Sequence, residues 1–419
     1  MFAYTLSYVD RTILSLLVQP IKADLHLSDT EFSLLQGFAF ACLYTLLGIP
    51  LGALADRSCR RNLIATGVGV WSAMTALCGL ANSFATLFAA RVGVGVGEAA
   101  LGPAAYSMIS DYCPPQRRGR ALSAYSMGVY FGAGLAIMIG GMVVAAVSST
   151  PWIELPLIGP VRAWQAAFLM VGLPGLAAAL WMLSVREPSR RVVAAPAASD
   201  GALREALRFM NGRRRFFVSH FVGVGLLTLL FNAVATWIPA YLQRSFGFGA
   251  RDIGLSYGPI LLVFGALGIV SGGWLSDALR QRGLADAEMR VVTLSGLLVW
   301  PFAISATVSS SAATCLALLA PLFYFSSFAF GAAISALQLI TPDALRGRVA
   351  ALYLLFVNLT GIGLGGTMTA LVTDYVLHDD RRVGVSIAIV AGICAPLATV
   401  ILYLGMKYYR AAVAALIRS

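Results

Sequence analysis

Four charged side chains stand where a membrane-crossing chain should have none. Arg91 and Glu98 bracket the run Arg91-Val-Gly-Val-Gly-Val-Gly-Glu98, and the apolar stretch from Phe84 to Ser110 holds no other charge. Helical rise puts Glu98 about 20 Å from either end of that stretch, near the middle of a bilayer. Arg91 is two turns away and projects from nearly the same face. Asp10 and Arg11 interrupt the first apolar run, with Asp10 about 15 Å deep. A charge at such depth costs about 3 kcal/mol or more unless it meets a partner or water, so these residues mark a functional site. A buried carboxylate can take up a proton, and an arginine, which stays charged, can expel it. Asp10 and Glu98 are the expected proton carriers. Arg11 and Arg91 are their charge partners or ligands for an anionic headgroup, and Arg91 is favoured as ligand because it shares the face of Glu98. Neighbours on a helix differ by about 100°, so Asp10 and Arg11 cannot face the same way; one meets a cavity, the other a helix.

The elements that position these groups follow from composition. The 419 residues are 59% hydrophobic and 12% charged, with a mean hydropathy of +0.81, far from the range of soluble domains. The formal charge of +11 sits in short loops and forms no continuous basic face, which argues against nucleic acid as a partner. Apolar runs long enough to cross a bilayer recur at residues 2–20, 32–54, 63–82, 84–110, 121–147, 163–185, 216–243, 253–275, 291–309, 312–340, 349–376 and 383–406. The expected fold is all-α and integral to the membrane, with twelve spans. Of the 30 basic residues, 22 lie in loops after even-numbered spans, in the central loop or in the C-terminal tail; six lie in the other loops and two within spans. That bias predicts that both termini are cytoplasmic, in a multi-pass protein of the cell inner membrane. Trp152 and Trp164 flank a Pro-rich loop on the opposite side, where interfacial aromatics are expected. The N-terminus lacks the basic region and cleavage site of a signal peptide, so residues 2–20 read as the first span, with room for a cytoplasmic tail before it. The six cysteines show no CxxC or metal spacing, and His26, His220 and His378 have no ligand partner nearby in sequence; no metal, nucleotide or other cofactor is expected.

The polar segment 186–215 divides an N-terminal bundle, 1–185, from a C-terminal one, 216–406, with a tail at 407–419. Within the segment, Leu203, Ala206, Leu207 and Met210 follow helical spacing opposite Arg204, Arg208 and Arg215, as in a helix on an anionic membrane surface; a solvated linker reads equally well. The halves repeat. Gly52 to Asp56 is matched by Gly273 to Asp277, and Arg118-Gly119-Arg120 by Arg346-Gly347-Arg348, in the same order and after corresponding spans. This predicts two six-helix pseudo-repeats with substrate at their interface.

Gly52-Ala-Leu-Ala-Asp56-Arg57 with Arg61 resembles the signature loop of the major facilitator superfamily, and the likeness extends over essentially the whole chain. The resemblance implies a cytoplasmic gate formed by Gly52, Asp56, Arg57, Arg61, Arg118, Asp277 and Arg346; the second copy is degenerate, with Ala278 in place of an arginine. Arg91, Gly95 and Glu98 resemble the fourth-span motif of the superfamily, which implies proton coupling. Gly128, Gly132, Gly134, Gly140 and Gly141 resemble its glycine-rich exporter motif without the usual proline, and the same spacing serves helix packing. Tyr8-Val-Asp10-Arg11, with Arg91 to Glu98 and the loop from Tyr112 to Arg120, is similar to the Spinster branch, which implies a lysolipid or sphingoid substrate; Ser7 departs from the Asn common in that branch.

The expected activity is proton-coupled secondary transport of an amphiphile by rocking of two bundles, in a monomer surrounded by lipid. Tyr130, Asn232, Trp237, Tyr257, Ser326, Ser327 and Asn358 are candidates for the substrate path, and each has a packing explanation of equal weight. A multidrug or organic-anion exporter of the same superfamily is the alternative. A membrane-embedded enzyme or lipid-binding receptor is the alternative of another class, but the chain has no HExxH or GxSxG, and a receptor does not explain the duplicated gating loops.

Overall fold

The computed structural model describes residues 2–113, 115–147, 150, 152–155, 159–189, 200–342 and 345–418. Helices lie at all twelve places where apolar runs occur. Among the described residues, ten helical runs are long and apolar enough to cross a membrane; the helices of residues 2–16 and 60–78 fall outside that set. The first span is broken into α1 (Phe2–Leu16) and α2 (Val18–Leu25). Pro20 accounts for the break, since it offers no N–H to the Leu16 carbonyl four residues earlier and its ring collides with it. The third helix, α3 (Asp29–Ser33), opens with a Ser28/Glu31 capping box and runs through a π turn at Leu34–Phe38 into α4 (Ala39–Arg57). After α5 (Arg60–Cys78), the fourth span is divided into α6 (Phe84–Glu98) and α7 (Leu101–Tyr112), so a helix ends on Glu98 itself. Pro103 stands four residues after Ala99 and breaks the ladder there in the same way.

The chain continues through α8 (Pro115–Val147), a hairpin of β1 (Trp152–Leu155) and β2 (Gly159–Arg162), α9 (Ala163–Met182), α10 (Asp200–Gly212), α11 (Arg214–Phe246), α12 (Ala250–Gln281) and α13 (Ala287–Thr307). It ends with α14 (Ala312–Ser326), α15 (Phe328–Ile340), α16 (Arg346–Asn358), α17 (Leu364–Leu371) and α18 (Val383–Arg418). The hairpin is the one departure from an all-helical reading among the described residues; Trp152 pairs with Arg162, and Gly159, at φ +87°, pairs with Leu155 in a backbone conformation that a side chain would strain.

Two compact units are present. Unit 1 comprises residues 1–195, 236–262 and 373–381; unit 2 comprises 196–235, 263–372 and 382–419. The units cross the repeat boundary expected from sequence, because the end of α11, the start of α12 and the turn after α17 pack with the N-terminal segment. In unit 1, α5 packs on α9 and α6, and α1 on α8. Glycines permit these approaches. A Cβ on Gly97 would lie 2.5 Å from the Trp71 amide nitrogen, and one on Gly95 would lie 2.5 Å from the Phe40 carbonyl oxygen. The glycine row of α8 does the same work: Gly128 and Gly132 abut Tyr4 and Tyr8, while Gly134 and Gly141 abut Gly258 and Gly254 of α12. This is helix packing, one of the two readings that the spacing allowed.

Unit 2 is built on α13 against α18, α14 and α15, with a core around Phe216, Tyr353 and Tyr409. The linker helix expected from sequence is α10, but its apolar face splits. Ala206 is buried and Phe209 and Met210 pack on the unit 2 core, whereas Leu203 and Leu207 are about half exposed beside Arg204 and Arg208.

Candidate functional site

Asp10, Arg11, Arg91 and Glu98 meet inside unit 1, where α1 passes α6. Arg11 Nε donates to Glu98 Oε2 at 2.6 Å, and Nη2 reaches the same oxygen at 2.5 Å. Glu98 is sealed, with a side chain 1% exposed, but that of Arg11 keeps 17% exposure. The guanidinium sits over the rings of Phe40 (4.3 Å), Tyr44 (4.8 Å) and Tyr8 (5.3 Å), so aromatic faces replace part of its hydration. Glu98 Oε1 accepts no hydrogen bond among the described residues.

Arg91 has a different position from the one its helical face implied. It is 1% exposed and donates to two main-chain carbonyls, Asp10 O at 3.1 Å through Nη1 and Leu35 O at 3.4 Å through Nε. Leu35 lies in the π turn, a local widening common at functional sites. Arg91 thus ties α1 and the π turn to α6, and Arg11 is the less buried cation of the pair. Asp10 points away from Arg11, as adjacent positions require: it is 3% exposed beside Trp71 and Thr75 of α5, and its Oδ1 has no hydrogen-bond partner among the described residues.

At the end of unit 1 where α5 begins, beside Arg57 and Arg61 of the expected gate, lies a second ionic group. Its centre is Arg60, which is 1% exposed, pairs with Asp111, reaches Glu187 at 2.8 Å and donates to Ser107 at 2.9 Å and to the Pro188 carbonyl at 3.1 Å. Arg57 is exposed, and Arg61 contributes its main-chain N–H to Glu187 at 2.8 Å. Gly52 faces Pro103 at ordinary contact distance. The side chains of Asp56 and Arg118 lie outside the described residues. In unit 2, Arg346 donates to the Gln338 and Thr341 carbonyls at 3.1 Å, while Asp277 is exposed. Burial would raise the Glu187 carboxyl, but Arg60 and the main-chain N–H groups of Arg60 and Arg61 outweigh it and hold the group below the ordinary carboxylate range. A depressed folded value means stability present above the unfolded value of about 4.3 and lost as pH falls through the folded one. Glu187→Gln should therefore destabilise the detergent-purified protein by about 2 kcal/mol at pH 7, and the gap to the parent should close in thermal unfolding scans below about pH 4.

At the other end of unit 1, residues from the beginning, middle and end of the chain converge. Asp29, fully buried, takes two bonds from Arg244, at 2.6 and 2.7 Å, and one from Lys22. Lys22 also reaches Asp380 at 2.5 Å, and Asp374 accepts from the Thr30 amide at 2.7 Å and from its hydroxyl at 2.6 Å. The three carboxylates approach within 4.8 Å of one another, and the cations among them are Lys22 and Arg244. The sequence did carry a signal for this cluster: Lys22 and Arg244 are two of the six basic residues that defy the charge bias.

The proposed path residues divide. Trp237 and Tyr257 are buried in unit 1, Trp237 against Phe32 and under Arg244, and Tyr130 is buried in α8. In unit 2, Asn232 donates to Thr228 O at 2.9 Å and abuts Gly361 and Gly365, and Ser326 and Ser327 bond back to the Phe323 carbonyl. These are local contacts of the kind helix packing makes. Asn358 is partly buried at the end of α16.

The profile of the Major Facilitator Superfamily matches residues 1–366. The chain belongs to the major facilitator superfamily. Within it the protein is Spinster-like. It is similar over 100% of its length, and 96% of the other chain, to a bacterial homolog of the human lysosomal transporter Spinster solved in an inward-facing, unoccupied conformation, at 27% identity and a TM-score of 0.78. It is 28% identical over 375 residues to an MFS-type efflux pump of Mycolicibacterium smegmatis, covering 90% of this chain and 83% of that one. A probable L-galactonate transporter of Escherichia coli is 27% identical over 307 residues, 70% of this chain and 63% of its own length. This Spinster-like chain is therefore a membrane-embedded, multi-pass protein with a transport function.

Proposed function

We propose that the chain is a proton-coupled secondary active transporter of a single-tailed amphiphile of lysolipid or sphingoid type, working by alternating access, with both termini cytoplasmic in the cell inner membrane and acting as a monomer. The observation that carries the reading is the Arg11–Glu98 pair: a sealed carboxylate held by a guanidinium that keeps one side open and is stacked on aromatic rings. Protonation of Glu98 removes the charge that holds Arg11, which is then free to meet an anionic headgroup; departure of the headgroup returns Arg11 and expels the proton. Asp10 is the second proton carrier, on the far side of α1. The cluster of Lys22, Asp29, Arg244 and Asp380 holds its end of unit 1 together and parts during the transport cycle.

The likeness to the efflux pump and to the galactonate transporter supports a second reading, in which the anion is a small organic acid or an amphipathic drug. Uptake of labelled lysophospholipid into proteoliposomes, with and without an imposed pH gradient, separates the two. The lysolipid reading expects gradient-stimulated uptake that excess galactonate leaves unchanged; uptake of galactonate alone would favour the second reading.

A further inference from the structure

At one end of unit 2, the exposed side chains of two spans change from apolar to cationic within one turn. On α11, Val218 is exposed, and so are Arg214 and Arg215, four and three residues before it. On α18, Tyr403 and Leu404 are exposed, and the exposed Lys407 follows three residues after Leu404. In a membrane-embedded chain, such a change marks the level at which hydrocarbon gives way to headgroups. There the two cations converge. The Arg215 guanidinium lies 5.6 Å and the Lys407 ammonium 4.9 Å from the centre of the Tyr408 ring, which packs on the unit 2 core.

Two like charges held over one ring favour an anion beside them. Among the described residues, neither cation forms an ion pair: Asp286 is held by Arg290 at 2.7 Å and by Arg410 at 2.8 Å, and Glu288 by Arg280. The helix α10 extends the surface. It is joined to α11 through Arg213 alone, whose guanidinium lies 4.4 Å over the Phe209 ring, and Phe209 meets Phe217 of α11 at 5.9 Å. At about 100° per residue, Leu203 and Leu207 lie on one flank of the buried face of α10, with the exposed Arg204 and Arg208 beside them and Glu205 on the opposite flank. Half-exposed leucines next to arginines, with the acid turned away, suit the boundary between headgroups and acyl chains. We propose that Arg215 and Lys407, continued by Arg204 and Arg208, form a binding surface for the phosphate headgroups of anionic phospholipids in the adjoining leaflet. A phosphate takes the guanidinium fork of Arg215 and the point charge of Lys407 together. The assignment rests on membrane embedding and this geometry, and stands apart from proton coupling.

The test uses the full chain in phosphatidylcholine vesicles carrying a trace of phosphatidylglycerol with a diazirine beside the headgroup, and a parallel sample with the same group on phosphatidylcholine. After irradiation, mass spectrometry should find residues 214–218 and 404–408 labelled in clear excess by the phosphatidylglycerol. Arg215→Gln and Lys407→Gln should each lower that excess by about fivefold. Arg382→Gln, at an exposed position about 37 Å from Lys407 by helical rise along α18, should leave it unchanged. Raising the salt from about 0.1 to 1 M shortens the screening length from about 10 to 3 Å and should remove the excess in the parent, an arm that needs no variant. Equal labelling by the two lipids, or an excess indifferent to both substitutions or to salt, would overturn the surface. Binding of soluble polyglutamate that both substitutions abolish, with the two lipids labelling equally, would assign the face to an acidic protein and overturn it too.

Discussion

Arg11→Ala lowers proton-driven uptake by about a hundredfold or more, and Arg11→Lys restores little of it. Both contacts from Arg11 end on one oxygen of Glu98. Removing one partner of a buried pair costs about 3–5 kcal/mol, more than the 2.7 kcal/mol that corresponds to a hundredfold. The carboxylate escapes that cost by taking a proton and keeping it, which stops the cycle. Lysine supplies a point charge on a flexible stem and cannot sit flat on Phe40 and Tyr44 while reaching Glu98. Arg91→Ala is the control with a different expected failure. Arg91 bonds to main-chain carbonyls of α1 and the π turn, so its loss should reduce the yield of folded protein, and the folded remainder should retain its response to a pH gradient. Uptake is measured in proteoliposomes, and yield by gel filtration.

The second large effect is expected at the opposite end of unit 1. Asp29→Asn leaves Lys22 and Arg244 without the fully buried carboxylate that both contact. At about 3–5 kcal/mol for a broken buried pair, the balance between shut and parted arrangements of these segments shifts by about two orders of magnitude or more. Gln243 lies beside them, donating to the Leu16 carbonyl at 3.4 Å. A cysteine placed there, in a background where the six native cysteines are serine, should be slow to react with a membrane-impermeant maleimide in the parent and fast in Asp29→Asn. Equal rates would show that the cluster does not hold this end.

Much of the fold is written in the sequence because bilayer thickness imposes one length on every span, and the helices fall where apolar runs of that length occur. The gathering of Asp10, Arg11, Arg91 and Glu98 is legible for a related reason, since few other partners are available to charges at that depth. The pairing within the four is not. Helical spacing puts Arg91 on the face of Glu98, but α6 ends on Glu98, and it is Arg11 of α1 that reaches the carboxylate. At the expected gate the resemblance singles out Arg57 and Arg61, and Arg60 between them carries no signal of its own. Tertiary proximity of Asp111 and Glu187, one from α7 and the other beyond α9, selects Arg60. The cluster of Lys22, Asp29, Arg244, Asp374 and Asp380 draws on three distant segments, and only the breach of the charge bias marked two of its members.

Substrate-driven proton movement in proteoliposomes, followed with a trapped pH indicator, bears most directly on the claim that Glu98 exchanges its proton as Arg11 changes partner. In the parent, adding lysophospholipid without an imposed gradient should shift the internal pH, and Glu98→Gln, which mimics the protonated state, should bind the lipid and shift nothing. A Glu98→Gln protein that moves protons as the parent does would contradict the account.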